Sequence, residues 1–287
     1  MKPIHERLSG RTAVITGGSG VLCSAMAKEL SRQGMKIAIV SRNADKAERA
    51  AGEIADAGGT AVSVPADVSA RDSLEKAKDE IISRFGSVNL LINGAGGNHP
   101  NAITASETYE EDEQGTSFFD MDETGVSSVF STNFTGAFLA SQVFGKDLLK
   151  AECPTIINIS SMSAYTPMTK VPAYSAAKAA IQNFTMWMAV HFAKKGMRVN
   201  AIAPGFFLTA QNRELLLQED GSLTDRSNKI MAHTPMKRFG KPEDLLGTLL
   251  WLSDDSCSGF VTGVTVPSTE VLWLIPECDR THVPVRL

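Results

Sequence analysis

The feature that most constrains this chain is a short apolar run, TAVIT at Thr12–Thr16, which breaks into the glycine-rich stretch GGSG and then into the helical spacing Leu22, Met26, Leu30. A run with no helical period, then a glycine turn, then a helical period reads as strand, tight turn and helix. The pattern recurs. IAIV at Ile37–Val40 leads into an Ala/Glu/Lys-rich helical stretch ending at Ala57, and AVSVPADV at Ala61–Val68 leads into a helical pattern over 72–85. VNLLINGAGG at 88–97, TIINISS at 155–161, RVNAIAP at 198–204 and FVTGVTV at 260–266 continue the strands, with helical patterns near 124–149 and 173–195.

Strands separated by helices predict a parallel sheet covered on both faces, because each apolar face needs burial. The expected class is therefore α/β: a Rossmann-like, doubly wound parallel sheet of about seven strands with helices on both faces. The 287 residues fit one domain, 1–287, and no linker justifies a cut. Two stretches escape the alternation. Residues 98–123 are polar and acidic and read as an inserted loop, directly after the fourth strand and so beside the sheet edge where ligands bind. Residues 206–232 read as a substrate-side lid with a helical patch at Asn212–Glu219.

Charge and cysteine content narrow the function. A balance of 28 Lys+Arg against 32 Asp+Glu offers no excess for nucleic acid or an anionic membrane. Cys23, Cys153, Cys257 and Cys278 are widely spaced, so neither structural zinc nor disulfide stapling is supported, and no metal is expected. The start, MKPIHERLSGR, lacks an apolar signal core, and no apolar run of about 18 residues exists to span a bilayer. A cytoplasmic protein is the expectation.

A glycine turn lets backbone N–H groups approach phosphate, and the helix that follows adds its dipole and unpaired donors. Thr16, Gly17, Gly18, Ser19, Gly20, Val21 and Leu22 are thus expected to hold a dinucleotide. The second strand ends in Ser41 and Arg42 without a carboxylate, and Arg42 suits a 2′-phosphate, so the reading leans to NADP over NAD. The bland alternative makes Arg42 a solvent-facing residue at a helix start. Asp67, with Val68, follows the third strand and suits either the adenine edge or a helix N-cap.

Ser161, Tyr174 and Lys178 form the sharpest constellation. Four residues apart, Tyr174 and Lys178 share a helix face. A phenol near pKa 10 is a poor base at neutrality, but an adjacent ammonium favours its phenolate. Ser161, at a strand end, could hydrogen-bond the same substrate oxygen.

These motifs resemble those of the short-chain dehydrogenase/reductase family over about residues 9–267. The resemblance matches TG at 16–17 to the cofactor turn, NGAG (Asn93, Gly94, Ala95, Gly96) to the NNAG segment, YSAAK at 174–178 to the active-site segment, and Pro204, Gly205 and Thr209 to the nicotinamide contacts. It implies that Asn133 joins a water-linked relay with Lys178, and that Tyr174 exchanges a proton while hydride passes to or from nicotinamide. The pattern TGxxxGxG departs here, with Val21 and Cys23 where it has glycine. A β-branched residue avoids positive φ, so a shifted phosphate path or weaker affinity is expected. Cys23 reads as a helix-packing residue.

GGNHPNA at 96–102, the acidic insertion, SAYTPMTKVPAY at 163–174 and GFFLTAQNRELL at 205–216 resemble the D-mannonate oxidoreductase (fructuronate reductase) subgroup of that family. His99, Lys170 and Arg213 could pair with a sugar-acid carboxylate, and Asn98, Ser163, Gln211 and Asn212 could meet the rest of the substrate. His99 equally suits a loop cap, and His191 reads as structural. The expected reaction is D-mannonate/D-fructuronate interconversion. The alternatives are a gluconate-type or other polyol dehydrogenase, or a catalytically silent nucleotide-binding scaffold.

The tail from Ser268 to Leu287 is atypical. The resemblance implies a VDGG-like turn after the last strand, where this chain reads STEVLWLIPECDRTHVPVRL. One extra base before a suitable back-translation of residues 268–279 reads VDGGFMAYSGV followed by a stop, so a missing base is the expectation. A homotetramer or homodimer is also expected, weakened by this tail.

Overall fold

Every position of β1 (Thr12–Thr16) is buried, as a strand covered on both faces requires. Its side chains alternate: Ala13 and Ile15 face one layer, and Val14 faces the other. The computed structural model describes residues 5–111, 114–209 and 213–269. With β2 (Lys36–Ser41), β3 (Thr60–Pro65), β4 (Leu90–Asn93), β5 (Thr155–Ile159), β6 (Arg198–Pro204) and β7 (Thr265–Ser268), it forms one seven-stranded sheet in the order β3-β2-β1-β4-β5-β6-β7. Every pairing is parallel. Chain order reverses between β1 and β4, which opens a crevice at their C-terminal ends.

α1 (Val21–Arg32), α2 (Ala44–Asp56) and α9 (Leu246–Ser253) cover one face through Met26, Leu30, Ile54, Leu249 and Leu252. α3 (Arg71–Phe85), α5 (Gly136–Leu148) and α6 (Pro172–Phe192) cover the other through Leu74, Ile81, Phe144, Leu148 and Met188. Truncating one such buried Leu to Ala costs roughly 2–5 kcal/mol.

Several boundaries differ from the sequence expectation. β4 stops at Asn93 because the next four residues, Gly94 to Gly97, turn away from the sheet. β7 begins at Thr265, after Gly263 takes φ +80°. The helical pattern near 124–149 is α4 (Glu123–Phe130), a π-turn at Ser131–Thr135, and α5. In the lid, helix is found at α7 (Arg213–Leu216) and at an unexpected α8 (Asp225–Ala232), which Thr224 caps through the Ser227 N–H. α10 (Asp255–Ser258) was also not expected.

The insertion carries 3-10 turns at Pro100–Ala102 and Phe118–Asp120. It is tied to the segment before α6 by Thr104 N–H donating to the Lys170 carbonyl at 3.0 Å, and to α8 by the Glu107–Lys229 ion pair at 3.2 Å. Near the N-terminal end of the described chain, His5 Nδ1 lies 2.8 Å from Asp254, while Arg7 and Arg11 reach Asp255 at 2.5 and 2.9 Å. Gln211, Asn212 and the tail from residue 270 lie outside the described residues.

Candidate active site

The crevice at the C-terminal ends of β1, β4 and β5 is a cleft of about 570 Å³. Its first wall is the glycine turn. Gly17 takes φ +66°, and a Cβ there would lie 2.8 Å from Ala95 Cα, so glycine is required on two counts. A Cβ on Gly18 would lie 2.8 Å from the Ile15 carbonyl oxygen, so Gly18 serves packing. Gly20 is the N-cap of α1, with no side-chain capping bond, which leaves helix N–H groups for an anion at the cleft. Val21 is the first helical residue and needs no positive φ. The strain expected there is absent, because Gly17 alone in the turn is left-handed.

Ser19 and Ser41 hydroxyls lie 2.8 Å apart, joining the glycine turn to the end of β2. Beside them Arg42, Asn43 and Lys46 line the cleft without a carboxylate. Asn43 caps α2 by accepting from the Lys46 N–H at 2.8 Å. Asp67 is not the N-cap of α3, which is Ala70; its carboxylate accepts from the Ser69 N–H and hydroxyl at 2.9 and 2.7 Å. Those bonds, with a smaller pull from Arg42, outweigh desolvation and lower its pKa. Val68, not Asp67, lines the cleft.

Gly94, Ala95, Gly96 and Gly97 form the floor. Thr16 stays behind it, its hydroxyl accepting from Gly94 and Ala95 N–H at 3.1 and 3.3 Å. Asn93 is buried, donating to Ser141 and Asn158 at 3.0 and 2.8 Å. Asn133 sits in the π-turn, whose extra residue aims it at the floor. Its Nδ2 donates to the Gly97 carbonyl at 2.7 Å and its Oδ1 accepts from the Gly97 N–H at 3.2 Å.

The second wall carries Ser161, Tyr174 and Lys178, all lining the same cleft. Pro172 at the start of α6 and the alanines that follow favour helix, which fixes the Tyr174–Lys178 face. Ser161 lies just beyond β5, its oxygen accepting from the Ser163 N–H at 3.2 Å. Lys178 Nζ lies 5.5 Å from the Tyr174 ring centroid and donates to the Ile159 carbonyl at 2.8 Å. Burial raises the Tyr174 pKa, against a smaller lowering by the Ser161 hydrogen bond. Burial likewise pushes Lys178 down to about 8. The expected lowering of the phenol by its lysine neighbour is therefore replaced by a neutral phenol, suited to donate a proton. Pro204, Gly205 and Thr209 close the cleft at the end of β6.

The expected substrate residues are more scattered. His99 caps the Pro100–Ala102 turn, its Nδ1 accepting from the Asn101 N–H at 3.2 Å, and neither it nor Asn98 lines the cleft. The Ser163 hydroxyl, beside Ser161, is buried without a partner. Lys170 holds φ +67°, a strained value for a non-glycine residue, and has no ion pair among the described residues. Arg213 is exposed on α7. Sequence reasoning did not assign Cys23, Asn43, Lys46 or Thr132 to the cleft. The capping pattern of Asn43 before α2 was a usable signal for one of them.

A profile of the short chain dehydrogenase family matches residues 11–220. An uncharacterized oxidoreductase of Bacillus subtilis strain 168, UxuB, is 73% identical over 267 residues, covering 93% of this chain and 96% of that one. A structure from Haemophilus influenza with bound NAD, provisionally assigned as a D-mannonate oxidoreductase, has a TM-score of 0.90 at 46% identity, covering 94% and 98% of the two chains. One from Agrobacterium tumefaciens, provisionally assigned as a gluconate dehydrogenase, has a TM-score of 0.81 at 27% identity, covering 94% and 98%.

Proposed function

The chain belongs to the short-chain dehydrogenase family, and from that premise we propose that this NAD(P)-dependent oxidoreductase interconverts D-mannonate and D-fructuronate. The observation that carries the reading is the convergence of Ser161, Tyr174 and Lys178 on the cleft that also holds the Gly17–Leu22 turn. Likeness to the Haemophilus structure supports the substrate. Beyond the residues that line the cleft, the buried Ser163 hydroxyl beside Ser161, and Lys170, which has no ion pair among the described residues, are the polar groups assigned in this reading to a hydroxylated carboxylate.

Bound nicotinamide would supply or accept the hydride at the substrate carbon. In reduction, Tyr174 donates its phenolic proton to the carbonyl oxygen, and Ser161 donates a hydrogen bond to that oxygen. Lys178 stabilises the phenolate that remains, and Asn133 holds Gly97 and the floor in place. In oxidation the phenolate takes the proton back. The glycine turn and the open end of α1 hold the pyrophosphate. Arg42 and Lys46, with no carboxylate among the lining residues, support NADP alongside NAD.

The reading includes a cytoplasmic homotetramer or homodimer formed by one domain. The exposed face of Met186, Trp187 and Val190 on α6 supports self-association. The insertion and the lid, bridged by Glu107 and Lys229, flank the substrate entrance.

The deciding experiment is a matrix of aldonates, uronates, neutral polyols and small ketones against NAD and NADP, followed by nicotinamide absorbance. Turnover concentrated on D-mannonate and D-fructuronate is expected. Preference for D-gluconate would favour the reading that the Agrobacterium likeness suggests. Turnover confined to uncharged or lipid ketones would overturn a sugar-acid site.

A further inference from the structure

The floor loop is held from three sides. Thr16 accepts from the N–H groups of Gly94 and Ala95, Asn133 grips both backbone groups of Gly97, and the Cys23 thiol points at the Gly94 carbonyl at 3.9 Å. Two glycines show how close the fit is. A Cβ on Gly96 would lie 2.5 Å from Asn133 Oδ1 and 3.2 Å from Lys178 Nζ. A Cβ on Gly94 would overlap the Cys23 sulfur and lie 2.9 Å from the Thr16 carbonyl oxygen.

Two departures from the family pattern, cysteine for glycine at 23 and, in NGAG set against NNAG, glycine for asparagine at 94, therefore meet in space. A thiol on α1 fills the volume that a side chain on the floor would need, and the floor residue has lost its side chain. We propose that Cys23 is a positioning residue for Lys178, its sulfur substituting for a side chain at 94 and holding the Asn93–Gly97 loop against the catalytic ammonium.

Burial raises the Cys23 thiol to about 11, so it stays uncharged beside the lysine and acts by packing rather than as a nucleophile. Without the sulfur, the loop can sink toward α1 and Gly96 draws away from Nζ. Water then reaches the ammonium, and its pKa climbs from about 8 toward the ordinary lysine value.

The inference rests on the proposed oxidoreductase reading, and an exchange experiment tests it. Dinucleotide affinity, measured by fluorescence titration with NAD and NADP, and the pH profile of kcat are compared among the parent, Cys23→Gly, Cys23→Ser, Gly94→Ala and Cys23→Gly/Gly94→Ala. Gly94→Ala is expected to weaken dinucleotide binding by more than about tenfold, with the double variant recovering a clear part of that loss, the contact with the Thr16 carbonyl oxygen at 2.9 Å remaining in both. Cys23→Gly is expected to shift the pH profile upward, and Cys23→Ser, which keeps a small polar atom in place, to retain the parent profile. A Gly94→Ala chain that binds like the parent, or a double variant no better than Gly94→Ala, would overturn the pairing. If Gly94→Ala does not fold, an unshifted profile for Cys23→Gly overturns it. Failure of the function reading is separately visible, since a parent that turns over no sugar acid still reports the exchange through dinucleotide affinity.

Discussion

Lys178 Nζ donates to the carbonyl oxygen of Ile159 at 2.8 Å, anchoring the ammonium of the α6 site pair to the end of β5 that Ser161 follows. One strand end thus sets the positions of both Ser161 and the ammonium, and Tyr174 is placed between them by helical spacing alone.

The pH dependence of stability reports this burial. Lys178 releases its proton near 8 in the folded chain, against 10.5 ordinarily. Below 8 both states are protonated and the folded state carries the whole cost of a buried cation. Between 8 and about 10.5 the unfolded chain binds more protons, so the contribution of Lys178 to stability rises with pH by on the order of 2 kcal/mol. Denaturant unfolding at pH 7.5 and 10 should show this increment in the parent and lose it in Lys178→Met. Identical pH dependence in both would contradict it.

Lys170 provides a test of substrate charge. Lys170→Met should raise KM for D-fructuronate by about tenfold, as expected for loss of one charged hydrogen bond, while kcat changes little. KM for neutral polyols should not move. Equal losses on charged and neutral substrates would instead assign Lys170 to the shape of its loop.

The N-terminal segment makes a different prediction. Burial alone would raise the Asp255 carboxyl, but hydrogen bonds from Arg11, Cys153 and Arg7 outweigh it and bring it to about 2. Its pKa is depressed, so its stabilisation is complete above the ordinary carboxylate range and is lost as pH falls through that range toward 2. Asp255→Asn should cost about 1 kcal/mol at pH 7 and flatten the acid limb of an unfolding series. A variant as stable as the parent at pH 7 would remove this role.

The atypical end can be tested by replacement. β7 ends at Ser268, whose carbonyl accepts from the Gly205 N–H at 3.2 Å, and a Cβ on Gly205 would overlap Thr269. The segment after Pro267 therefore bears directly on a cleft residue. We propose that a missing base produced the residues from Ser268 onward. A chain carrying VDGGFMAYSGV after Pro267 should show higher activity and less aggregation by light scattering. Indistinguishable behaviour, or an uninterrupted reading frame in both the gene and its transcript, would remove the proposal.

The seven strands and the parallel, doubly wound class were legible because buried parallel strands require continuous apolar runs such as TAVIT and TIINI. Tyr174 and Lys178 were legible because helical spacing alone fixes their shared face. The π-turn at Asn133 was not, since one extra residue in a helix leaves no compositional mark. Nor was α8, whose polar sequence DRSNKIMA buries only Ser227, Ile230 and Met231. The Cys23–Gly94 contact joins residues 71 positions apart, and only the fold brings them together. Val21 misled because a glycine in a motif was taken as a need for positive φ, whereas the backbone there is already helical.

The most direct test compares Tyr174→Phe with the parent in D-fructuronate reduction and dinucleotide titration. Removing the phenolic proton should lower kcat by about 10²–10⁴-fold while leaving the dinucleotide dissociation constant within a fewfold of the parent. Near-normal turnover by Tyr174→Phe would contradict the assignment of this cleft and its tyrosine to proton transfer.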